Sequence, residues 1–267
     1  IARRQRQMCI RDRSMYQPFF CAIIHCIFLC SVYAGSDLLS NCLTKIELTE
    51  LYSGIKSIDC IYVINLEERY ERWERTQALC KKNALFVNRV SAINGWKLED
   101  WTIRRLTIPH HQITKGAIGC LLSHLSILQH ALAKEFEIIW VMEDDIDFLE
   151  SPHQLRPLLK ELFEIDPDWD LFYTDIRIHW NYVIKPIKQK DYVTNNLLRV
   201  GRRYGTHSII ISKKGMKKIF NYFSSKRFST PIDIDIHSIP GIRKYSPAWH
   251  ITTVTESSPS DTELPVD

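Results

Sequence analysis

The sequence is poor in several features, and each shortage excludes a class of protein. Glycine numbers only 9 and proline 11 in 267 residues, and there is no repeat period or low-complexity tract. Collagen-like, solenoid and fibrous architectures are therefore excluded. The eight cysteines contain no Cys-x-x-Cys pair, which removes zinc knuckles and thioredoxin-type redox centres. The strongly apolar run at residues 19–32 (FFCAIIHCIFLCSV) has 14 residues, too few to cross a bilayer comfortably, where about 20 are needed. The excess of basic over acidic residues is small. The net charge of +4 is supplied by residues 1–14, which hold five Arg and one Asp. The remainder is near neutral with no basic stripe, which argues against a nucleic-acid partner. What is present, 45% apolar and 25% charged residues, is the composition of a globular chain with a real core.

The first fifty residues read as a leader. Residues 1–14 (IARRQRQMCIRDRS) have no apolar period, and MCIRDRS resembles a translated sequencing-adapter fragment, so Met15 becomes the natural start; the other reading is a genuine basic n-region. Residues 19–32 suit the h-region of a secretory signal over 15–34, with Val32-Tyr33-Ala34 as a small-residue cleavage site, although Met15-Tyr16-Gln17 carries no cation. A short membrane anchor or a buried core helix are the alternatives. A true signal places the protein in the secretory lumen, and otherwise it is cytoplasmic. Five cysteines precede residue 50, and Cys60, Cys80 and Cys120 sit in apolar surroundings as small core residues.

From residue 56 to 254 the pattern is that of one α/β domain. Residues 58–66 (IDCIYVINL) form a buried strand, 67–82 a charged helix, and 86–92 a strand closed by Asn94-Gly95. Residues 96–114 are irregular. A helix over 115–136 carries Leu121, Leu125, Leu128 and Leu132 on one face, and the strand 137–142 ends on Glu143-Asp144-Asp145. Ser151-Pro152 begins the next helix, 170–174 and 207–212 are strands, 178–200 is a protruding hairpin or loop, and 213–225 is a helix. The tail 255–267 is acidic and loose. Alternating strands and helices predict a mostly parallel, mixed sheet with ligands at the strands' carboxyl ends.

Chemistry concentrates in a few places. Glu143, Asp144, Asp145 and Asp147 follow an apolar strand directly. Adjacent carboxylates repel, so closing a buried strand with them is costly without a cation, and hard oxygens suit Mg²⁺ or Mn²⁺; the bland reading is a solvated turn. His124 falls within the leucine face of its helix, near Ser123 and behind Gly116 and Gly119, as either a core histidine or a ligand-facing group, while His130 points away. Asn65, Arg69 and Arg72 follow the first strand, where Arg pairs with phosphate or with Glu68 and Glu71. Gly205-Thr206 precedes a strand as an entry turn or a substrate contact. Asp233 and Asp235 in PIDIDI alternate as on an edge strand, which would put both carboxylates on one face as a general base or simply towards solvent.

Taken in order, IYVINLEERYERW, FVNRVSAING, GAIGCLLSHLSILQHAL, IIWVMEDDIDF, DWDLFY and YGTHSIIISKKGMKKI resemble glycosyltransferase family 25 over about residues 58–249. That family includes lipooligosaccharide (lipopolysaccharide-biosynthesis) glycosyltransferases and procollagen galactosyltransferases. The resemblance implies a GT-A-type, Rossmann-like fold and transfer of a hexose, often galactose, from a UDP-sugar to a glycan or protein-linked hydroxyl, with inversion. It implies Mn²⁺ (or Mg²⁺) at Asp145 and Asp147. Asn65, Arg69, Arg72, Glu143, Asp144, Gly205 and Thr206 would hold the donor, and Asp233, Asp235 and His124 would serve the reaction. Two other readings remain: a degenerate member that binds sugar or a partner without turnover, and a metal-dependent phosphoesterase. For the latter only Asp175 and the PIDIDI pair supply further carboxylates.

Overall fold

In a computed structural model the described residues are 38–175, 191–255 and 262. The leader expectations for residues 1–14, 15–34 and 19–32 lie outside them, as do 178–190 of the expected hairpin and nearly all of the tail.

Six consecutive buried residues, Cys60–Asn65 (CIYVIN), make β1. A strand buried on both faces needs partners on both edges, and β1 has them. It pairs in parallel with β2 (Asn88–Ser91) on one side and with β3 (Ile138–Glu143) on the other. The sheet continues through β7 (Ser208–Ser212), β5 (Leu171–Tyr173), β8 (Lys244–Pro247) and β6 (Leu197–Arg199), giving the order β2-β1-β3-β7-β5-β8-β6. The β5–β8 pairing is also parallel, whereas β7 runs antiparallel to β3 and β5, and β6 antiparallel to β8. The fold is thus α/β with a mixed seven-stranded sheet. A separate ribbon pairs β4 (Ile146–Phe148) with β9 (Thr252–Val254).

Period-two alternation divides the strand side chains between two cores. Tyr62, Ile64, Ile139 and Val141 pack with the leucines of α3 (Lys115–Ala133) and with Met216, Ile219 and Phe223 of α5 (Lys213–Ser224). Ile61, Val63, Trp140 and Met142 pack with Trp73 and Cys80 of α1 (Tyr70–Lys82) and with the leucines of α4 (Leu155–Ile165). Helices cover both faces, as parallel strands require. The chain leaves β1 for β2 on one edge, then returns past it to β3 on the other. The carboxyl ends of β1 and β3 therefore flank a topological switch point, where open α/β sheets bind ligands.

Several local expectations are corrected. Residues 96–114 are not wholly irregular: a 3₁₀ turn (Gly95–Lys97) is capped by the Asn94 side chain, which accepts from Trp96 N, and α2 spans Asp100–Leu106. Pro152 starts a 3₁₀ turn before α4, but Ser151 makes no side-chain cap bond. PIDIDI is no edge strand. After Pro231 it winds into the short helix α6 (Ile232–Asp235), so Asp233 and Asp235 do not share a strand face. Cys60 and Cys80 are buried as expected, and burial lifts their thiols to about 11 and about 12. Cys120 is only half-buried and lines a cleft instead.

Candidate active site

A cleft opens at the switch point, where open α/β sheets gather ligands. Ile64 and Leu66 line it from the end of β1, Glu143, Asp144 and Asp145 from the end of β3, Cys120 and Ser123 from α3, and Trp96 from the loop between. Close packing fixes that loop. Gly119 lies inside α3, and a Cβ there would meet the Ile93 carbonyl oxygen at 2.2 Å. The Ser123 hydroxyl accepts from Ile93 N at 2.8 Å. Gly119 thus serves helix–loop contact, and both it and Gly116 fall within the helix.

The three neighbouring acids have distinct surroundings. Asp144 is buried, accepts from Asn65 Nδ2 at 2.6 Å and lies 3.5 Å from the Arg72 guanidinium. Asn65 is itself held by Arg89, whose Nε donates to Asn65 Oδ1 at 2.9 Å and whose guanidinium lies over the Tyr70 and Trp73 rings. Burial raises the Asp144 carboxyl despite Asn65 and Arg72. Glu143 accepts from the Thr206 hydroxyl at 3.2 Å and stands 3.6 Å from Nε2 of the buried His124. Burial alone would lift its carboxyl, but His124, His207 and Thr206 outweigh it and hold Glu143 below the usual range. Asp145 is the uncompensated member. Its Oδ1 is buried without a hydrogen-bond partner, and burial reinforced by the Glu143 charge pushes its carboxyl up to about 6. A buried orphan carboxylate oxygen is what a hard divalent cation would satisfy, so the Asp145 carboxylate fits Mg²⁺ or Mn²⁺.

Other expected residues have partners of their own. Asp147, on β4, pairs with Arg75 at 2.5 Å and accepts from the Thr255 hydroxyl at 3.1 Å. Asp235 is buried against Lys226 at 2.6 Å and the Tyr222 hydroxyl at 3.2 Å. Asp233 accepts from Gly205 N at 2.9 Å and so fixes the turn in which Gly205 has φ +85°, a left-handed conformation suited to glycine. Its charge also acts on Cys120. Arg69 occupies the cap position of α1. His130 is partly buried and hydrogen-bonded to Tyr62 at 2.9 Å.

Sequence reasoning missed a buried network beside the acids. Asp175, just past β5, receives two contacts from Arg203, with Nη2 at 2.8 Å from its carboxylate and Nη1 at 2.7 Å from its carbonyl, while His207 Nε2 stands 3.3 Å away. The Arg203 guanidinium lies 3.9 Å from the Tyr173 ring centroid. Arg203 carried no local signal, because its partners come from strands distant in sequence. Trp96 was also missed, although an aromatic after Asn-Gly in a cleft loop is a readable signal for stacking.

The sequence model of glycosyltransferase family 25 (LPS biosynthesis protein) matches residues 58–236. Procollagen galactosyltransferase 2 of Mus musculus is 30% identical over 188 residues, covering 65% of this chain and 29% of that protein. Inactive glycosyltransferase 25 family member 3 of Homo sapiens is 32% identical over 126 residues, 43% of this chain and 21% of that one. The chain thus spans under a third of the length of these curated relatives. A crystal structure of a glycosyltransferase involved in glycosylation of the major capsid of PBCV-1 aligns with 70% of this chain and 81% of its own, at a TM-score of 0.36 and 13% identity. With residues 58–236, more than half of the chain, matched by the family model, the chain belongs to glycosyltransferase family 25.

Proposed function

We propose that the protein transfers a hexose, galactose in the first instance, from a UDP-sugar to a hydroxyl of a glycan or protein-linked acceptor, with inversion. The observation that carries this reading is the orphaned, buried Oδ1 of Asp145 within a carboxylate cluster at the switch-point cleft. A bound Mn²⁺ or Mg²⁺ would neutralise the charge that grows on the departing diphosphate. Asp145 would hold that ion; Asp147, committed to Arg75, has no part in the reading. Asn65 and Arg72 fix Asp144 for contact with the ribose or donor sugar. Arg69 lies on the nucleotide side, and Trp96 offers a stacking face.

Asp233 is the candidate base, with Asp235 excluded by its buried pairing to Lys226. It takes the acceptor proton as that oxygen attacks the anomeric carbon from the face opposite the diphosphate, whose bond to carbon breaks. The transition state has oxocarbenium character. His124 orients Glu143, and the Gly205–Thr206 turn holds Glu143 from the other side.

A panel of UDP-sugars, each scored for Mn²⁺-stimulated UDP release, tests this reading. One UDP-hexose should be turned over, and Asp144→Ala with Asp145→Ala should lower release at least ~100-fold, the scale of losing groups aimed at developing charge. Release that survives the double change overturns it. The likeness to an inactive relative supports a second reading, sugar binding without turnover; there, UDP-sugar binds with Mn²⁺ but no donor in the panel is consumed.

A further inference from the structure

We propose that Cys120, His124 and Glu143 form a second, softer metal site on the wall of the cleft, one that takes Zn²⁺. Cys120 and His124 are four residues apart on α3, so both project from one face of the helix. The end of β3 brings Glu143 across to meet them. The thiol sulfur, an imidazole nitrogen and a carboxylate oxygen all lie within 4.8 Å of one another. Tetrahedral zinc, with bonds of about 2.0–2.3 Å, sets its ligand atoms roughly 3.5 Å apart, so closure needs adjustments on the scale of side-chain rotations.

The second observation is independent of the spacing. His124 is 2% exposed, and its Nε2 makes no hydrogen bond; the Glu143 carboxylate oxygen 3.6 Å away is within ion-pair reach but beyond hydrogen-bond range. A buried nitrogen left in that state is costly for a structural histidine and is what a metal ligand looks like without its metal. The donor set selects the ion. A thiolate with an imidazole and a single carboxylate favours zinc-like ions over Mg²⁺, Mn²⁺ or Ca²⁺, which prefer oxygen. Charge also closes: thiolate and carboxylate together balance a divalent ion, so the occupied site buries no net charge.

Cys120 and Glu143 line the cleft, which leaves the fourth position open to water, and the Thr206 hydroxyl bonded to Glu143 supplies the orienting contact such ligands need. Binding releases one proton, from the Cys120 thiol to solvent, and changes no oxidation state. The site does not rest on glycosyl transfer and would stand if the transfer reading failed.

Cobalt is the probe, because Co²⁺ takes zinc sites and reports its ligands by colour. Full-length protein stripped with chelator and titrated with Co²⁺ should show a near-ultraviolet sulfur-to-cobalt charge-transfer band, together with the intense visible bands of four-coordination. One equivalent of Zn²⁺ should bleach both. Cys120→Ser should lose the charge-transfer band, and His124→Gln or Glu143→Gln should weaken Co²⁺ binding at least about tenfold. Asp145→Asn should leave the band in place, which separates this site from the hard-ion cluster. Circular dichroism of the metal-free variants checks that each is folded. A wild-type titration without the charge-transfer band, or a band unchanged in folded Cys120→Ser, overturns the proposal.

Discussion

Asp175, which is buried, and Asp145, half-buried with a buried Oδ1, are tuned in opposite directions. Burial would raise Asp175, but His207 and Arg203 outweigh it and hold the carboxyl well below the usual range. A depressed native value means its stabilisation is complete above the unfolded value of about 3.9 and is lost as pH falls through the native one. Asp175→Asn leaves Arg203 buried without its counter-ion and should cost about 3 kcal/mol at pH 7. Urea unfolding should show a smaller cost at pH 3, and an equal cost at both contradicts the pairing. Asp145, pushed up to about 6, works the other way: the metal-free fold loses stability as pH rises from about 4 to about 6. Asp145→Asn should therefore raise the Tm of the metal-free protein at pH 7.5 and leave it nearly unchanged below pH 4. A lowered Tm at pH 7.5 would refute this. Asp145 was legible in the sequence because three acids closing an apolar strand violate a local rule. Asp175 was not, since a single Asp after DLFYT has no visible partner until the fold brings Arg203 and His207 to it.

Among the elements, α3 was the most legible, since 19 residues show the helical period several times over. The role of its Gly119, a contact with a distant loop, leaves no trace in that period. A Gly→Ala change inside a helix ordinarily gains up to about 1 kcal/mol from propensity. Here the added Cβ would meet Ile93 O at 2.2 Å and Gly95 N at 2.5 Å, both backbone atoms that cannot rotate away. Gly119→Ala should therefore destabilise by about 1–3 kcal/mol, as overpacking does, and should perturb Trp96 fluorescence by displacing its loop. A stability gain on thermal melting would contradict the packing. PIDIDI failed as a prediction for the opposite reason. Its two-residue alternation also fits a four-residue helix, which is too short to display a 3.6 period, and Pro231 at its cap position settles the conformation by starting the turn.

For the whole molecule, the alternation of strands and helices carried the α/β class and the presence of a cleft at the strand ends. It did not carry the antiparallel placement of β7 between β3 and β5, because long-range pairing leaves no local periodicity. That placement sets the surroundings of Glu143: β7 enters the sheet from the end where β3 leaves, so Thr206 and His207 arrive beside Glu143, and Glu143 N donates to His207 O at 2.8 Å. The central claim is that this junction of β1, β3 and β7 grips a hard divalent ion through Asp145. Electron paramagnetic resonance of Mn²⁺ titrated into the wild type and Asp145→Asn tests it most directly. One bound Mn²⁺ per chain, held more tightly with UDP present and lost in Asp145→Asn, is the predicted result; Mn²⁺ binding that is identical in the two proteins contradicts it.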